Sequence, residues 1–196
     1  AQNGGKPFPA EKFVNKIPVK KHDHVLIPAG TVHCSGADTM VLEISATPYI
    51  FTFKLWDWGR VDLDGKPRPI HLEHGAANIQ WYRNTEWVHK NLINAVAEVY
   101  SDENGTVVRT GLHEREFLDT FRFTTSSALP VHRNGSVHML NLVDGTRAVL
   151  RSKSDAFPPL ELHYAETCIV PQAAGDYEIY SPDGSEVKVI LACVRN

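Results

Sequence analysis

The stretch Val25-Leu26-Ile27-Pro28-Ala29-Gly30-Thr31-Val32-His33 governs how this chain is read. Three apolar residues run as a strand into a Pro-x-Gly turn. Pro28 removes a backbone donor where pairing ends, and Gly30 permits the tight reversal. A second strand is then expected to open with His33, held on a rigid element as a metal ligand needs to be. Spacing alone leaves that imidazole two roles: a ligand, or a hydrogen-bonded histidine inside a β-barrel. Cys34, the next residue, would face the other side of the strand and belong to the core.

Working outward, Met40, Leu42 and Ile44 alternate with Val41, Glu43 and Ser45, the period of a strand. Glu43 sits amid apolar neighbours, and a buried carboxylate there needs a partner or a function. Lys54, Arg60 and Lys66 are the candidate partners. Tyr49 to Trp58 reads as a further strand, followed by an exposed, turn-rich loop through Asp62-Leu-Asp-Gly65 and Lys66-Pro-Arg-Pro69. Three histidine groups carry less weight. His22 and His24 read as a solvated turn, and His71 and His74 as opposite faces of an edge strand. His113 and Glu116 would pair only on a helix, which the β pattern around them disfavours.

The one clear helix signal is Thr85 to Ile93, with Thr85 as cap and Trp87, Leu92 and Val96 as its buried face. Beyond it the pattern is strand after strand: Glu98–Tyr100, Thr106–Thr110, Glu116–Thr124, Ser136–Val143, Arg147–Arg151, Leu160–Tyr164, Thr167–Val170, Asp176–Tyr180 and Val187–Val194. Asn104-Gly105, Asn134-Gly135, Asp144-Gly145 and Asp183-Gly184 accept positive φ and read as hairpin turns. The expected fold is therefore all-β, an antiparallel sandwich or jelly-roll barrel with one short helix between two parts. The expected division is 1–75, a helical connection over 76–98, and 99–196.

Composition narrows the function. With 20 Lys and Arg against 23 Asp and Glu, the net charge of −3 gives no footprint for nucleic acid or an acidic membrane. No apolar run reaches the ~20 residues that span a bilayer, and no signal-peptide pattern opens the chain. Three cysteines, Cys34, Cys168 and Cys193, fit neither a zinc knuckle nor a disulfide framework. A cytoplasmic protein is expected. The first residue is alanine, so a processed or truncated product is expected as well.

The runs Pro28-Ala-Gly-Thr-Val-His33, Val41-Leu-Glu-Ile44 and Lys54-Leu-Trp-Asp-Trp-Gly-Arg60 through Pro69-Ile-His71 resemble the type I phosphomannose isomerase (mannose-6-phosphate isomerase) family. The likeness is dense over about residues 16–75 and thins beyond residue 98. Glu166-Thr-Cys-Ile-Val-Pro171 to Gly175-Asp-Tyr177 looks like the family's closing segment. The resemblance implies a zinc-dependent double cupin that interconverts mannose 6-phosphate and fructose 6-phosphate. By the same resemblance, Pro-x-Gly-x-x-His is the second half of a cupin metal site. It makes His33 the last zinc ligand, Glu43 an active-site carboxylate, and Lys54 the occupant of the family's arginine position. Lys66 and Arg68 become phosphate contacts for a phosphorylated sugar.

Two departures matter. Lysine at position 54 keeps the charge but loses the planar fork of arginine, and Ser45 to Ile50 contains no counterpart of the family's aspartate. The family's other zinc ligands lie upstream of the turn, yet only 27 residues precede Pro28 and none fits. The chain thus resembles a C-terminal portion, inactive by itself, whose partner is the missing N-terminal part. Its closing cupin has no histidine at the ligand place and is expected to be metal-free. A homodimer through a strand edge left bare is also expected. The rival reading is a non-catalytic cupin that binds sugar or serves as a structural module.

Overall fold

The computed structural model describes residues 6–45 and 52–195. The chain divides into two compact units, Ala1–Asn94 and Ala95–Asn196. The second is a β-barrel. Its strands are β1 (Ala97–Asp102), β2 (Gly105–Arg109), β3 (Leu118–Thr125), β4 (Ala128–Val131) and β5 (His138–Asp144), then β6 (Arg147–Ser152), β7 (Leu160–His163), β8 (Thr167–Val170), β9 (Tyr177–Tyr180) and β10 (Val187–Val194).

They form a six-stranded sheet in the order β1-β2-β3-β10-β5-β8 and a four-stranded sheet in the order β4-β9-β6-β7, all pairs antiparallel. Set the β1–β2 hairpin aside and the chain crosses from one sheet to the other at every connection from β3 to β10 except the β6–β7 hairpin, which stays in the four-stranded sheet. This is the jelly roll of the cupin fold.

Period-two patterning explains the layers. In β10, Val187, Val189, Leu191 and Cys193 point inward and are buried, while Lys188, Ile190 and Ala192 between them are half-buried. His138, Leu140 and Leu142 of β5 do the same, as do Tyr177 and Ile179 of β9. With Leu129, Val131, Leu150 and Leu162 they make one continuous core.

The Gly turns behave differently from the expectation. Asn104-Gly105 closes a true hairpin, since β1 pairs with β2. The turns at Asn134-Gly135, Asp144-Gly145 and Asp183-Gly184 instead carry the chain from one sheet to the other. Positive φ at Gly135 (84°), Gly145 (88°) and Gly184 (75°) supplies the sharp change of direction, but partner strands decide what it connects. β4 has no counterpart among the expected strands. It is short and contains Pro130, which is tolerated because β4 lies at a sheet edge.

The first unit contains α1 (Leu72–Asn78) and α2 (Thr85–Asn91), so among the described residues there are two short α-helices rather than one. His74 therefore lies on a helix and not on the expected edge strand. Gly75 is buried on α1 because Leu55 packs where its Cβ would stand, only 2.3 Å from Leu55 Cδ2. The cap of α2 is Asn84 and not Thr85: Asn84 Oδ1 accepts a hydrogen bond from the Trp87 amide at 3.0 Å. Leu92 is buried, and Val96 lies beyond the helix and is exposed.

The strands expected before residue 75 do not form among the described residues. Val25 makes a single bridge to Ile93, and Val61 one to Pro67. Residues 31–36 and 39–45 carry no strand, and neither do residues 52–58 of the segment expected from Tyr49 to Trp58; residues 46–51 lie outside the described residues. A ladder of hydrogen-bonded neighbours is what turns an alternating pattern into a sheet, and among the described residues these segments have at most an isolated bond, such as His71 N–H to the Lys54 carbonyl. Cys34 is accordingly exposed rather than in a core.

Candidate functional site

The Pro-x-Gly turn is formed as the residues dictate. The Thr31 amide donates to the Pro28 carbonyl at 3.2 Å, closing a four-residue turn, and Gly30 takes φ of 83° at its third position. A side chain at position 30 would also collide with the Asn78 carbonyl oxygen, 2.5 Å from the Cβ position. Glycine is thus required twice over, by dihedral and by space. The Gln80 amide donates to the Gly30 carbonyl at 3.0 Å.

Arg83, absent from the sequence reading, is the turn's other partner. Its Nη1 donates to Pro28 O (3.0 Å), Ala29 O (2.7 Å) and Thr31 Oγ1 (2.6 Å). The guanidinium lies 5.5 Å from the Tyr82 ring centre and 5.3 Å from that of Trp87. No sequence period links position 83 to positions 28–31; only the folded link between α1 and α2 brings them together.

His33 follows the turn and is exposed, with Nδ1 2.8 Å from the Thr31 carbonyl oxygen. Glu43 is exposed and not in a strand, so the burial expected of its carboxylate does not occur. Lys54 is half-buried. Its amide donates to His71 Nδ1 at 3.2 Å, and its carbonyl accepts from the His71 amide at 2.7 Å. Lys66 is exposed on the loop that Asp62 organises, where Asp62 Oδ1 accepts from the Lys66 amide at 2.9 Å. Arg68 forms an ion pair with Asp57, Nε to Oδ2 at 3.0 Å, and Asp57 is only 8% exposed. Among the described residues, no hydrogen bond or ion pair joins His33, Glu43 and Lys54.

A catalytic zinc takes three protein ligands. Among the described residues no three His, Cys, Asp or Glu side chains converge to hold a metal ion. The described residues therefore do not by themselves fit a zinc centre. An open hollow in the same unit is lined by Tyr82, Asn84, Glu86, Trp87, Lys90 and Asn91. Two aromatic faces beside amide and charged groups suit a ligand with both CH faces and hydroxyls.

The barrel holds a second polar group that the sequence did not announce. His138 is 2% exposed, with Nδ1 2.9 Å from the Tyr177 hydroxyl and Nε2 3.2 Å from Asn134 Oδ1. Asn134 directs its Nδ2 to Cys193 Sγ and the Val194 carbonyl, which fixes its oxygen toward the imidazole. His138 Nε2 therefore carries the proton, and Nδ1 accepts from Tyr177. Burial pushes the His138 pKa down to about 4, with the nearby Arg133 charge adding to it; burial pushes the Tyr177 hydroxyl up. Both ring nitrogens are used within the barrel. Arg133 also donates to the Ser136 carbonyl and to Gln172.

Fold and turn together define a cupin-type β protein. No family model matches the chain. It is distantly related to proteins named mannose-6-phosphate isomerase. The one from Streptococcus mutans is 35% identical over 63 residues, 32% of this chain and 20% of that protein. ManA of Bacillus subtilis is 22% identical over 135 residues, 69% of this chain and 40% of that protein. The putative mannose-6-phosphate isomerase YvyI of B. subtilis is 22% identical over 171 residues, 86% of this chain. The chain spans between 20% and 49% of the length of these curated relatives. Among solved structures, mannose 6-phosphate isomerase from B. subtilis superposes with a TM-score of 0.52 at 13% identity, over 71% of this chain and 39% of that one. That likeness concerns the fold. Among the described residues, no helix is long and apolar enough to cross a membrane.

Proposed function

We propose that this chain is part of a mannose-6-phosphate isomerase that acts on a phosphorylated sugar in the cytoplasm. The observation that carries the reading is the relationship to proteins of that name, at 35% identity over 63 residues in one of them. Aldose–ketose isomerisation moves a proton between C1 and C2 through an enediol, which needs a group that shuttles it and cations that orient the phosphate. In this reading Glu43 is the pocket carboxylate, Lys54 supplies positive charge, Lys66 with Arg68 meets the phosphate, and His33 would be this chain's one contribution to the parent's zinc site. The family's zinc site would need ligands beyond those described, supplied by the N-terminal part of the parent protein. The chain by itself then turns over no substrate. Self-association is a separate part of the proposal. Its seam would be a strand edge left bare; among the described residues the first unit has no strand.

The test pairs saturation-transfer NMR with a coupled isomerase assay, using mannose 6-phosphate, fructose 6-phosphate and mannose on the 196-residue chain. The reading expects the phosphosugars to bind, mannose not to bind, and His33→Ala to weaken binding about fivefold, the effect of losing one neutral hydrogen bond. Normal turnover by the chain alone would overturn its incompleteness.

The exposed aromatic hollow favours a second reading, a non-catalytic sugar-binding module. Equal binding of mannose and mannose 6-phosphate, lost in Tyr82→Ala and indifferent to His33→Ala, would decide for it.

A further inference from the structure

We propose that Arg83 is a positioning residue that sets which ring nitrogen His33 presents. The inference rests on the reading of the 28–33 turn as functional, and it deepens that reading.

Arg83 Nη1 carries two N–H bonds and has three acceptors within 3.0 Å, namely Pro28 O, Ala29 O and Thr31 Oγ1. These groups belong to both limbs of the reversal, so one permanently charged nitrogen ties the limbs together. Gln80 supplies the donor for the third turn carbonyl, that of Gly30. With Pro28, Ala29 and Gly30 satisfied, the next carbonyl in the chain is Thr31, and it faces His33 Nδ1 at 2.8 Å.

A backbone carbonyl only accepts. The nitrogen facing it must therefore carry the proton, which makes His33 the Nδ1–H tautomer and leaves the Nε2 lone pair available. Orientation of one imidazole nitrogen by a carbonyl on the other is the usual way a protein selects the reactive nitrogen. Arg83 acts one step further back. It fixes the side chain of Thr31, and so the carbonyl that fixes His33. Its own place is set by the Tyr82 and Trp87 rings and by the short link from Gln80 to Asn84, where the Arg83 amide donates to the Gln80 carbonyl at 3.0 Å.

The test reads the tautomer directly, without substrate. In the ¹⁵N-labelled full chain, long-range ¹H–¹⁵N correlation of His33 at one fixed, mildly alkaline pH is expected to show Nδ1 protonated and Nε2 bare. Arg83→Met keeps the stem against the rings and removes the donors. It is expected to shift the tautomer ratio toward Nε2–H by about fivefold, the factor that one hydrogen bond is worth. Arg83→Lys returns a charged donor to the same acceptors and is expected to restore more than half of the shift.

A wild-type His33 spectrum in Arg83→Met, with only the turn amides displaced, would overturn the proposal and leave Arg83 a purely structural clasp. So would an Nε2–H tautomer in the unaltered chain. Should Arg83→Met lose its amide dispersion, Thr31→Val is read instead. It removes one acceptor and is expected to shift the ratio about twofold, and no shift there would overturn the proposal equally. Absent phosphosugar binding in the unaltered chain would retire the functional reading while leaving the tautomer result standing.

Discussion

The two units carry the same alternating code and make different use of it. In the barrel, Met139-Leu140-Asn141 places Leu140 at 0% exposure, opposite Leu191 on β10 and Cys168 on β8. In the first unit, Val41-Leu42-Glu43 has the same alternation, yet Leu42 is 49% exposed and Met40 81%. Among the described residues the first unit buries only Ala10, Pro28 and Leu92 of its apolar side chains. The difference teaches that alternation selects a face only where a neighbouring strand supplies the other half of each hydrogen-bonded pair. Where neighbours are lacking, the first unit is held by caps, turns and a few side-chain clasps.

The largest break in this comparison comes from matched truncations. Leu140→Ala leaves a cavity in a filled core and is expected to lower the stability of the barrel by roughly 2–5 kcal/mol. Leu42→Ala removes the same atoms from a half-exposed site and is expected to cost within about 0.5 kcal/mol. The chain provides separate reporters. All four tryptophans (Trp56, Trp58, Trp81 and Trp87) lie in the first unit, while the ten strands that dominate the far-ultraviolet signal lie in the second. In urea, Leu140→Ala should move the β transition and leave the tryptophan transition in place. Equal costs for the two substitutions would mean that Leu42 is packed in solution.

Acid sharpens the contrast through His138. Its pKa in the fold is about 4, against 6.5 when unfolded, because burial and Arg133 oppose the charged ring. The unfolded chain therefore binds the proton first, and barrel stability falls as pH drops from about 6.5 toward 4. With 1.36 kcal/mol for each unit, the full loss is roughly 3 kcal/mol. Denaturant midpoints measured across that window should decline for the β transition. His138→Gln should flatten the decline, whatever it does to stability at neutral pH. A slope unchanged by that substitution would show that another group titrates.

The barrel was legible because each strand announces itself twice, by alternation and by the turn that bounds it. Thr167–Val170 and Val187–Val194 match their expected limits to the residue. β4 escaped because Pro130 forbids a central strand and nothing in the sequence says which strands are edges. The helix at Leu72–Asn78 escaped because seven residues show barely two turns of periodicity, and His71 and His74 divert the eye to a strand. The site was legible only in its turn. Pro28, Gly30 and Thr31 form it as expected, whereas Arg83 lies 52 residues beyond Thr31 and is recognisable only by three distances. His138 was hidden for a related reason: its ring is satisfied by Tyr177, 39 residues further on, and by Asn134, four residues earlier on a turn where no strand period applies.

The smallest expected effect tests whether the first unit is held by such local clasps. Asn84 caps α2 through its side-chain oxygen, whereas Thr85 uses its hydroxyl to accept a hydrogen bond from Asn15 Nδ2 at 2.8 Å. A lost cap costs about 1 kcal/mol. Asn84→Ala should therefore lower the tryptophan-monitored transition by about that amount, since the freed amide is that of Trp87 itself. Thr85→Ala removes an exposed contact and should lower it by less. Neither should move the β transition, because the core of the barrel contains no residue of α2. If Asn84→Ala shifts both transitions together, the two units unfold as one, and the contrast between a packed half and a clasped half describes burial but not cooperativity.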